Sequence, residues 1–434
     1  MNNVLGYEIL DMSSSFDAEK FSSYLFKELR KLSSDGAGVT RGSYSETETN
    51  ALNFLEQIAL KNGLSVTHDE ASNYIFSLPK DKNASSYVLV GSHIDSVPQG
   101  GNYDGAAGIV AGIICLLRAK SEEIAFCKPV KVIAIRGEES AWFGCCYAGS
   151  RALLGKLTAA DLNSPHRDTG KPLRHYMTDL GINVSKLENQ NPLINLDCVL
   201  SYLELHIEQG PVLVKTGRPM AIVSGIRGNS RYRKIDCIGE AGHSGAVPRE
   251  YRHDAVFAVA NLLVRLEDHW KTLLAHSADI VITTGILSTN CVDHAMSRIP
   301  GEVSFSFEAR SENVDTLETM SSLLKSEAKI VERERNVKFY FGEESISAPA
   351  LLSSDIVNSL KSAAVKNECE PYVMASGAGH DAAVFSNSGV PSGMIFIRNE
   401  HGSHNPDEAM EISDFLIGTS VLFRYLSESN HDNS

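Results

Sequence analysis

The sequence YVLVGSH at residues 87–93 is followed by DGAAGIVAGIICLLRAK at 104–120 and by VKVIAIRG at 130–137. The first and third segments are short apolar runs rich in Val and Ile, as expected for strands buried on both faces. The segment between them has the length and composition of a crossover helix. This order predicts a parallel or mixed α/β sheet, in which ligands gather at the carboxyl ends of the strands.

The rest of the chain divides around this sheet. Apolar residues at helical spacing predict amphipathic helices beginning near Phe21 and near Leu52. From Arg227 the pattern changes to that of a smaller α+β unit, which we expect to span 227–338 as an insertion. The catalytic domain would then consist of residues 1–226 and 339–434.

Composition excludes several classes of protein. Hydrophobic residues make up 43% and charged residues 22%, which is typical of a folded globular chain. The net charge of −14 disfavours nucleic-acid binding. We expect no membrane span, and the N-terminal segment MNNVLGYEILDMSSSFDAEK lacks the pattern of a signal peptide, so a cytoplasmic location is expected. The eight cysteines contain no CxxC pair, which argues against a disulfide scaffold or a thiolate zinc site.

Imidazoles and carboxylates follow several of the predicted strands. These potential ligands are His93, Asp104, Glu138, Glu139, His206 and His404. Nitrogen and oxygen ligands of this kind suit zinc, manganese, cobalt or nickel, and two ions ~3.5–4 Å apart can share one bridging carboxylate. In the Glu138-Glu139 pair, one acid could bind metal while the other acts as a general base. Together these residues predict a dinuclear hydrolytic site.

The order of motifs resembles one family closely. The motifs are GSHIDSV, GGNYDGAAGI, RGEES, GSRALLG, ELHIEQGPVL, GHSGAVP, RIPGEVSFSFEAR, SGAGHDA and GSHNPDEAM, spread over residues 20–425. They resemble the hydantoinase/carbamoylase branch of the dinuclear-zinc aminoacylase and carboxypeptidase family. This resemblance implies a mixed-sheet α/β metallohydrolase domain with an inserted α+β lid domain that forms a homodimer. It also implies two divalent metal ions per chain, with zinc favoured over manganese, cobalt or nickel.

The resemblance further implies a role for each residue of the metal site. His93 and His206 would hold one ion, Glu139 and His404 the other, and Asp104 would bridge them. Glu138 would be the general base, and Asp95 would orient the His93 imidazole.

Residues of the inserted domain would complete the site. By the same resemblance, His243 would polarise the scissile carbonyl across the dimer, and Arg310 would bind the substrate α-carboxylate. Gln209, which precedes the insertion, and Asn229 would form hydrogen bonds with the substrate. Relatives have asparagine where this chain has Ser297, so the acid end of the substrate is expected to be held differently.

The function expected from these residues is hydrolysis of the ureido C–N bond of N-carbamoyl-L-amino acids, which gives the amino acid, ammonia and carbon dioxide. Allantoate or another ureido or N-acyl amino acid is the alternative substrate, although Asn229 in place of the glutamine of allantoate hydrolases disfavours allantoate. In a different class, the chain could be a catalytically silent dimer that binds an amino-acid derivative. The presence of all five metal ligands and of the base argues against that reading.

Overall fold

The computed structural model describes residues 16–293 and 295–428, which form two compact units. Of the described residues, the first unit comprises 16–224 and 351–428, and the second lies within Gly225–Ala350. Residues 1–15, which make up most of the segment examined for a signal peptide, lie outside the described residues. Among the helices described, none is both long and apolar enough to cross a bilayer.

The strands in chain order are β1 Ser34–Asp35, β2 Gly38–Val39, β3 Ser65–His68, β4 Tyr74–Ser77, β5 Tyr87–His93, β6 Val130–Ile135, β7 Val199–Ile207, β8 Met220–Ile226, β9 Gly228–Ile238, β10 Gly242–His243, β11 Val281–Thr283, β12 Leu287–Thr289, β13 Arg298–Ile299, β14 Glu302–Ser311, β15 Lys338–Phe341, β16 Glu344–Ser347, β17 Ala350–Leu351, β18 Val373–Ser376 and β19 Ser392–Ile397. The helices are α1 Ala18–Ser33, α2 Glu46–Lys61, α3 Ala106–Ser121, α4 Ser140–Phe143, α5 Ala148–Leu153, α6 Ala159–Leu162, α7 Leu173–Asp179, α8 Val184–Leu187, α9 Val212–Thr216, α10 Ala255–Ala275, α11 Val314–Arg335, α12 Ser354–Lys366, α13 Asp381–Ser386 and α14 Ile412–Ser427.

The first unit is built on a mixed sheet of nine strands within the described part of the chain. Its order is β17-β8-β19-β7-β5-β6-β4-β3, and β18 pairs with β8. The central strands β6, β5, β7 and β19 run parallel, and antiparallel strands flank them on both sides. Because parallel strands end at the same edge, the loops that follow these four strands meet there.

The crossover helix α3 is buried along most of its length. It contacts β5 and β7 of the sheet, and α1 and α14 also pack against it. Gly108 makes the close approach to the sheet possible, since a Cβ atom there would lie 2.3 Å from the Leu205 carbonyl oxygen. This packing fixes the start of α3, and therefore the segment carrying Asp104, beside the strand ends.

The second unit is an antiparallel sheet of six described strands packed on two long helices. The strand order is β11-β14-β9-β15, with β12 paired to β14 and β16 paired to β9. Residues of β14 alternate between half-buried and buried along its length, which is the pattern of a sheet with one face on the core. Helices α10 and α11 cover that face, and their apolar residues Leu262 and Leu324 join Phe305 and Phe307 in the core.

The mixed α/β fold predicted from the sequence is confirmed. The helices expected from Phe21 and Leu52 are α1 and α2, and the segment 87–137 forms β5, α3 and β6. The second unit extends past residue 338, where the insertion was expected to end. The reason is that β15, which begins at Lys338, and β16 both pair with β9 of this unit.

Candidate metal centre

Two histidines on neighbouring parallel strands face one aspartate. His93 is the last residue of β5, and His206 lies near the end of β7. Their Nε2 atoms lie 3.3 and 3.1 Å from Asp104 Oδ1 and 3.4 Å from each other. All three side chains are buried, so these ligand atoms form a compact triad.

Hydrogen bonds hold both rings in the orientation that metal binding needs. Nδ1 of His93 lies 3.0 Å from the Asp95 carbonyl oxygen, and Nδ1 of His206 lies 2.9 Å from that of Ile207. A backbone carbonyl only accepts, so each Nδ1 carries the proton and each Nε2 is an unprotonated acceptor. The Gly105 N–H, which donates to His206 Nε2 at 3.1 Å, is consistent with this tautomer.

A second triad shares the same aspartate. His404 Nε2 lies 3.6 Å from Asp104 Oδ2 and 3.3 Å from Glu139 Oε1. Glu139 follows β6 and is buried, whereas His404 lies in the loop after β19 with its side chain 52% exposed. Asp104 therefore presents one oxygen to each triad.

The residues of both triads suit divalent cations. Asp104 Oδ1 is buried and receives no hydrogen bond from any described residue, which is costly unless a cation compensates it. Three imidazole nitrogens with carboxylate oxygens form the mixed donor set of zinc, manganese, cobalt or nickel. Burial opposes the charge of Asp104, but His206 and His93 hold the pKa of its carboxyl well below the ordinary value. The carboxylate is therefore ionised and able to bridge.

Asp95 fixes two parts of the centre at once. Its carboxylate accepts the backbone N–H groups of Glu138 at 3.0 Å and Glu139 at 3.1 Å, and the hydroxyl of Ser43 at 2.6 Å. Its Oδ1 is also 3.4 Å from His93 Nδ1, farther than its own carbonyl oxygen is. Asp95 thus shapes the turn that carries the acid pair as well as positioning the imidazole.

The two adjacent acids have different surroundings. Burial raises the pKa of Glu138 well above its ordinary value, and the neighbouring Glu139 carboxylate raises it further. Burial also raises the pKa of Glu139, although its hydrogen bond with His404 opposes the shift. That same bond raises the pKa of His404 to about 9. Glu139 is engaged with the second triad, whereas Glu138 belongs to neither triad.

Gln209 also lies at the centre. Its amide nitrogen donates to Asp104 Oδ2 at 2.8 Å and is 3.5 Å from His404 Nε2. The side chain therefore touches the shared aspartate directly. Its expected hydrogen bond to substrate stays a prediction.

The other expected substrate residues lie in the second unit, in two pairs. Asn229 on β9 and Arg310 on β14 are opposite each other in the sheet. Arg310 also forms an ion pair with Glu308 at 3.1 Å. His243 is exposed on β10, and the Ser297 carbonyl accepts the N–H of Ser244 beside it. Their roles at the substrate stay predictions.

A third group of buried side chains lies close to His206. Glu204, His206 and His380 could also hold an ion by their spacing. However, Glu204 already accepts hydrogen bonds from Ser92 and from the Ala382 N–H. Burial holds the pKa of His380 well below the ordinary value, and His380 lies 3.0 Å from the hydroxyl of Ser376. These contacts are those of a packed polar layer beside the centre.

Some residues of the centre were missed by sequence reasoning. Ser43 bonds Asp95, and Ser403 and Glu408 contact the segment that carries Asp104. Ser403 and Glu408 lie within the quoted motif GSHNPDEAM, so their proximity to His404 in sequence was the available signal. Ser43 had no such signal, since it comes from a loop before α2.

Comparisons with known proteins agree with this architecture. Residues 89–428 match Peptidase family M20/M25/M40. The N-carbamoyl-L-amino-acid amidohydrolase of Pseudomonas sp. (strain NS671) is 31% identical over 389 residues, covering 89% of this chain and 92% of that protein. The allantoate amidohydrolase of Escherichia coli (strain K12) is 28% identical over 396 residues, covering 90% of this chain and 94% of that protein.

Solved structures share the fold. An amidase of the hydantoinase/carbamoylase family from Burkholderia multivorans superposes with a TM-score of 0.84 at 22% identity, over 95% of this chain and 97% of that one. The family match covers most of the chain, and the amidohydrolase of the Pseudomonas strain is similar along almost its whole length. This chain is therefore a member of Peptidase family M20/M25/M40.

Proposed function

We propose that the protein is a metal-dependent amidohydrolase that cleaves the ureido C–N bond of N-carbamoyl-L-amino acids. The products are the amino acid, ammonia and carbon dioxide. The single observation that carries this proposal is that Asp104 offers one carboxylate oxygen to each of two ligand triads, beside a buried Glu138 outside both. The similarity to a named N-carbamoyl-L-amino-acid amidohydrolase supports the choice of substrate class.

In this proposal each chain holds two divalent ions, of which zinc is favoured over manganese, cobalt or nickel. His93 and His206 would hold one ion, Glu139 and His404 would hold the other, and Asp104 would contact both. When bound, such ions polarise a carbonyl and lower the pKa of water toward ~7. Since each imidazole of the first triad already turns its Nε2 inward, those ligands are arranged for binding without a change of tautomer.

Glu138 acts as the general base. Its carboxylate takes a proton from the attacking water, whose oxygen forms the new bond to the ureido carbon. Glu138 then gives the proton to the nitrogen that leaves as the C–N bond breaks, and the carbamic acid formed in this step breaks down to carbon dioxide and the second amine product. Asp95 supports this step because its carboxylate holds the Glu138 backbone N–H. Water, and not a side chain of the protein, is the nucleophile.

The second unit supplies most of the substrate contacts in this proposal. Arg310 binds the α-carboxylate, for which a planar guanidinium is well suited. Asn229, which faces Arg310 across the strand pair, adds a hydrogen bond, as does Gln209 in the first unit. His243 polarises the carbonyl across a homodimer formed by the inserted unit. Ser297 replaces the carboxamide of relatives and shortens the reach at that position.

Allantoate is the second candidate substrate, because a named allantoate amidohydrolase is almost as similar to this chain. Asn229, in place of the glutamine expected in allantoate hydrolases, disfavours allantoate as the substrate. We also propose a cytoplasmic location for the protein.

The decisive experiment is a substrate panel run on wild-type protein and on Glu138→Gln. The panel consists of N-carbamoyl, N-formyl and N-acetyl L-amino acids together with allantoate. We expect the highest kcat/KM on an N-carbamoyl-L-amino acid, and a kcat about 10²–10⁴-fold lower in Glu138→Gln with its metal content unchanged. Higher kcat/KM on allantoate would select the second candidate, and full activity of Glu138→Gln would rule out this base.

A further inference from the structure

The carboxylate of Glu408 joins two of the loops that supply the second triad, the one that carries Asp104 and the one that carries His404. Its Oε1 accepts the N–H of Tyr103 at 2.7 Å and the N–H of Asp104 at 3.3 Å. Its Oε2 lies 3.0 Å from the hydroxyl of Ser403, which also contacts Asp104 Oδ2. Glu408 is only 5% exposed, so these contacts replace its hydration.

The fit between Glu408 and the Asp104 loop leaves no spare space. A Cβ atom built on Gly101 would lie 1.9 Å from the carboxylate carbon of Glu408 and 2.1 Å from its Oε1. The φ angle of Gly101 is not positive, so alanine could adopt this backbone conformation. A methyl group at this position would therefore have to displace the Glu408 carboxylate.

The second triad needs such support more than the first does. His404 is half-exposed on a loop, and its φ of 62° is in the left-handed region, which is uncommon for residues other than glycine. Residues in such conformations persist only where surrounding contacts fix them. The Asn405 side chain, which donates to the His401 and Ser403 carbonyls, fixes the loop internally. Ser403 and Glu408 link this loop to the segment that carries Asp104, and the Gln209 amide adds a contact with both Asp104 and His404.

We propose that Glu408 is a positioning residue that sets the distance between Asp104 and His404 and thereby the affinity for the second metal ion. This inference rests on the proposed dinuclear function. Glu408 touches neither ion nor substrate in this proposal and acts only through the two loops. The first triad, whose histidines lie on β5 and β7, depends on it much less.

The test is a Co²⁺ titration of demetallated full-length protein, followed by calorimetry and metal analysis. The variants are Glu408→Ala and the conservative Glu408→Gln. Glu28→Gln is the matched control, because Glu28 is another buried carboxylate of the first unit and pairs with Lys31. Thermal unfolding of each metal-free variant shows whether it is folded.

For wild type and Glu28→Gln we expect two Co²⁺ ions per chain. In Glu408→Ala the weaker of the two Co²⁺-binding steps should lose about 10–100-fold in affinity. This is the range seen when a contact that orients metal ligands is removed. The tighter step should stay within about 2-fold, the usual scatter of independent substitutions. Glu408→Gln keeps an oxygen that can accept both N–H groups, so it should recover most of the lost affinity.

A double substitution tests the geometry without relying on Glu408→Ala alone. Gly101→Ala should weaken the same step, because its methyl group displaces the Glu408 carboxylate. In the double variant Gly101→Ala/Glu408→Ala, the added methyl group no longer meets a carboxylate. The double variant should therefore bind Co²⁺ as Glu408→Ala does. Strict additivity of the two losses would overturn the proposal.

The possible failures are distinguishable. If wild type binds two ions and Glu408→Ala binds both unchanged, the role of Glu408 is wrong while the proposed function stands. Equal weakening of both steps would also overturn the selective role. If wild type itself binds no Co²⁺, the dinuclear function is wrong and the inference falls with it.

Discussion

The two triads of the candidate metal centre are built from different kinds of structure. His93 and His206 belong to adjacent parallel strands, are 2% and 0% exposed, and bind backbone carbonyls through Nδ1. Glu139 and His404 belong to loops after strands, and His404 is 52% exposed with a left-handed backbone. The difference indicates that the first triad is fixed by the sheet, whereas the second depends on contacts between loops.

The largest effect should come from the residue that the two triads share. Asp104→Ala removes the bridging carboxylate from both, so we expect loss of both ions and a fall in kcat/KM of at least about 10³-fold, since metal activation contributes several kcal/mol. Asp407→Ala, which removes an exposed carboxylate near His404, is the control and should keep both ions. Activity of Asp104→Ala close to wild type would show that the triads do not act together.

A pair of histidine variants should separate the two triads. His206→Ala should lose one ion and lower the free energy of unfolding of the metal-free protein by about 1–3 kcal/mol, because it leaves the Gly105 N–H without its buried acceptor. His404→Ala should lose the other ion and lower that free energy by less than His206→Ala does, because the side chain of His404 is half-exposed.

Metal analysis and urea unfolding measure both quantities on the same samples. If His404→Ala destabilised the metal-free protein as much as His206→Ala did, the distinction between a sheet-fixed and a loop-fixed triad would be wrong.

Smaller effects should come from Asp95→Asn and from Ser43→Ala, in that order. The amide keeps one acceptor oxygen but offers N–H groups where the carboxylate accepts from Ser43 and Glu139. We expect about a 10–100-fold fall in kcat/KM, the range for contacts that orient metal ligands. Ser43→Ala removes one of these hydrogen bonds and should fall between Asp95→Asn and wild type. A larger loss in Ser43→Ala than in Asp95→Asn would contradict this hierarchy.

The sequence was most informative where ligands lie close to strands. The apolar runs ending near His93 and His206 predict strands, and parallel strands bring their carboxyl ends together, so the proximity of these histidines could be anticipated. The resemblance added Asp104 as the shared residue. Neither the left-handed backbone of His404 nor its exposure could be read from the motif GSHNPDEAM.

Contacts between residues far apart in the sequence could not be predicted from the sequence. Arg41 is fully buried, and its guanidinium donates to the Ile94 carbonyl and to Asn102, yet nothing in its local sequence marks it. Burial lowers its pKa to about 10, although nearby carboxylates such as Glu408 oppose the shift. Similarly, Asn229 and Arg310 are paired across β9 and β14 because of the strand register, and the register depends on the whole sheet.

The most direct test of the shared-aspartate centre is a crystal structure of the protein loaded with Zn²⁺, with anomalous differences recorded at the zinc edge. We predict two anomalous peaks per chain, one beside His93 and His206, the other beside Glu139 and His404, and both in contact with Asp104. No peak, or a single peak away from Asp104, would contradict the dinuclear centre.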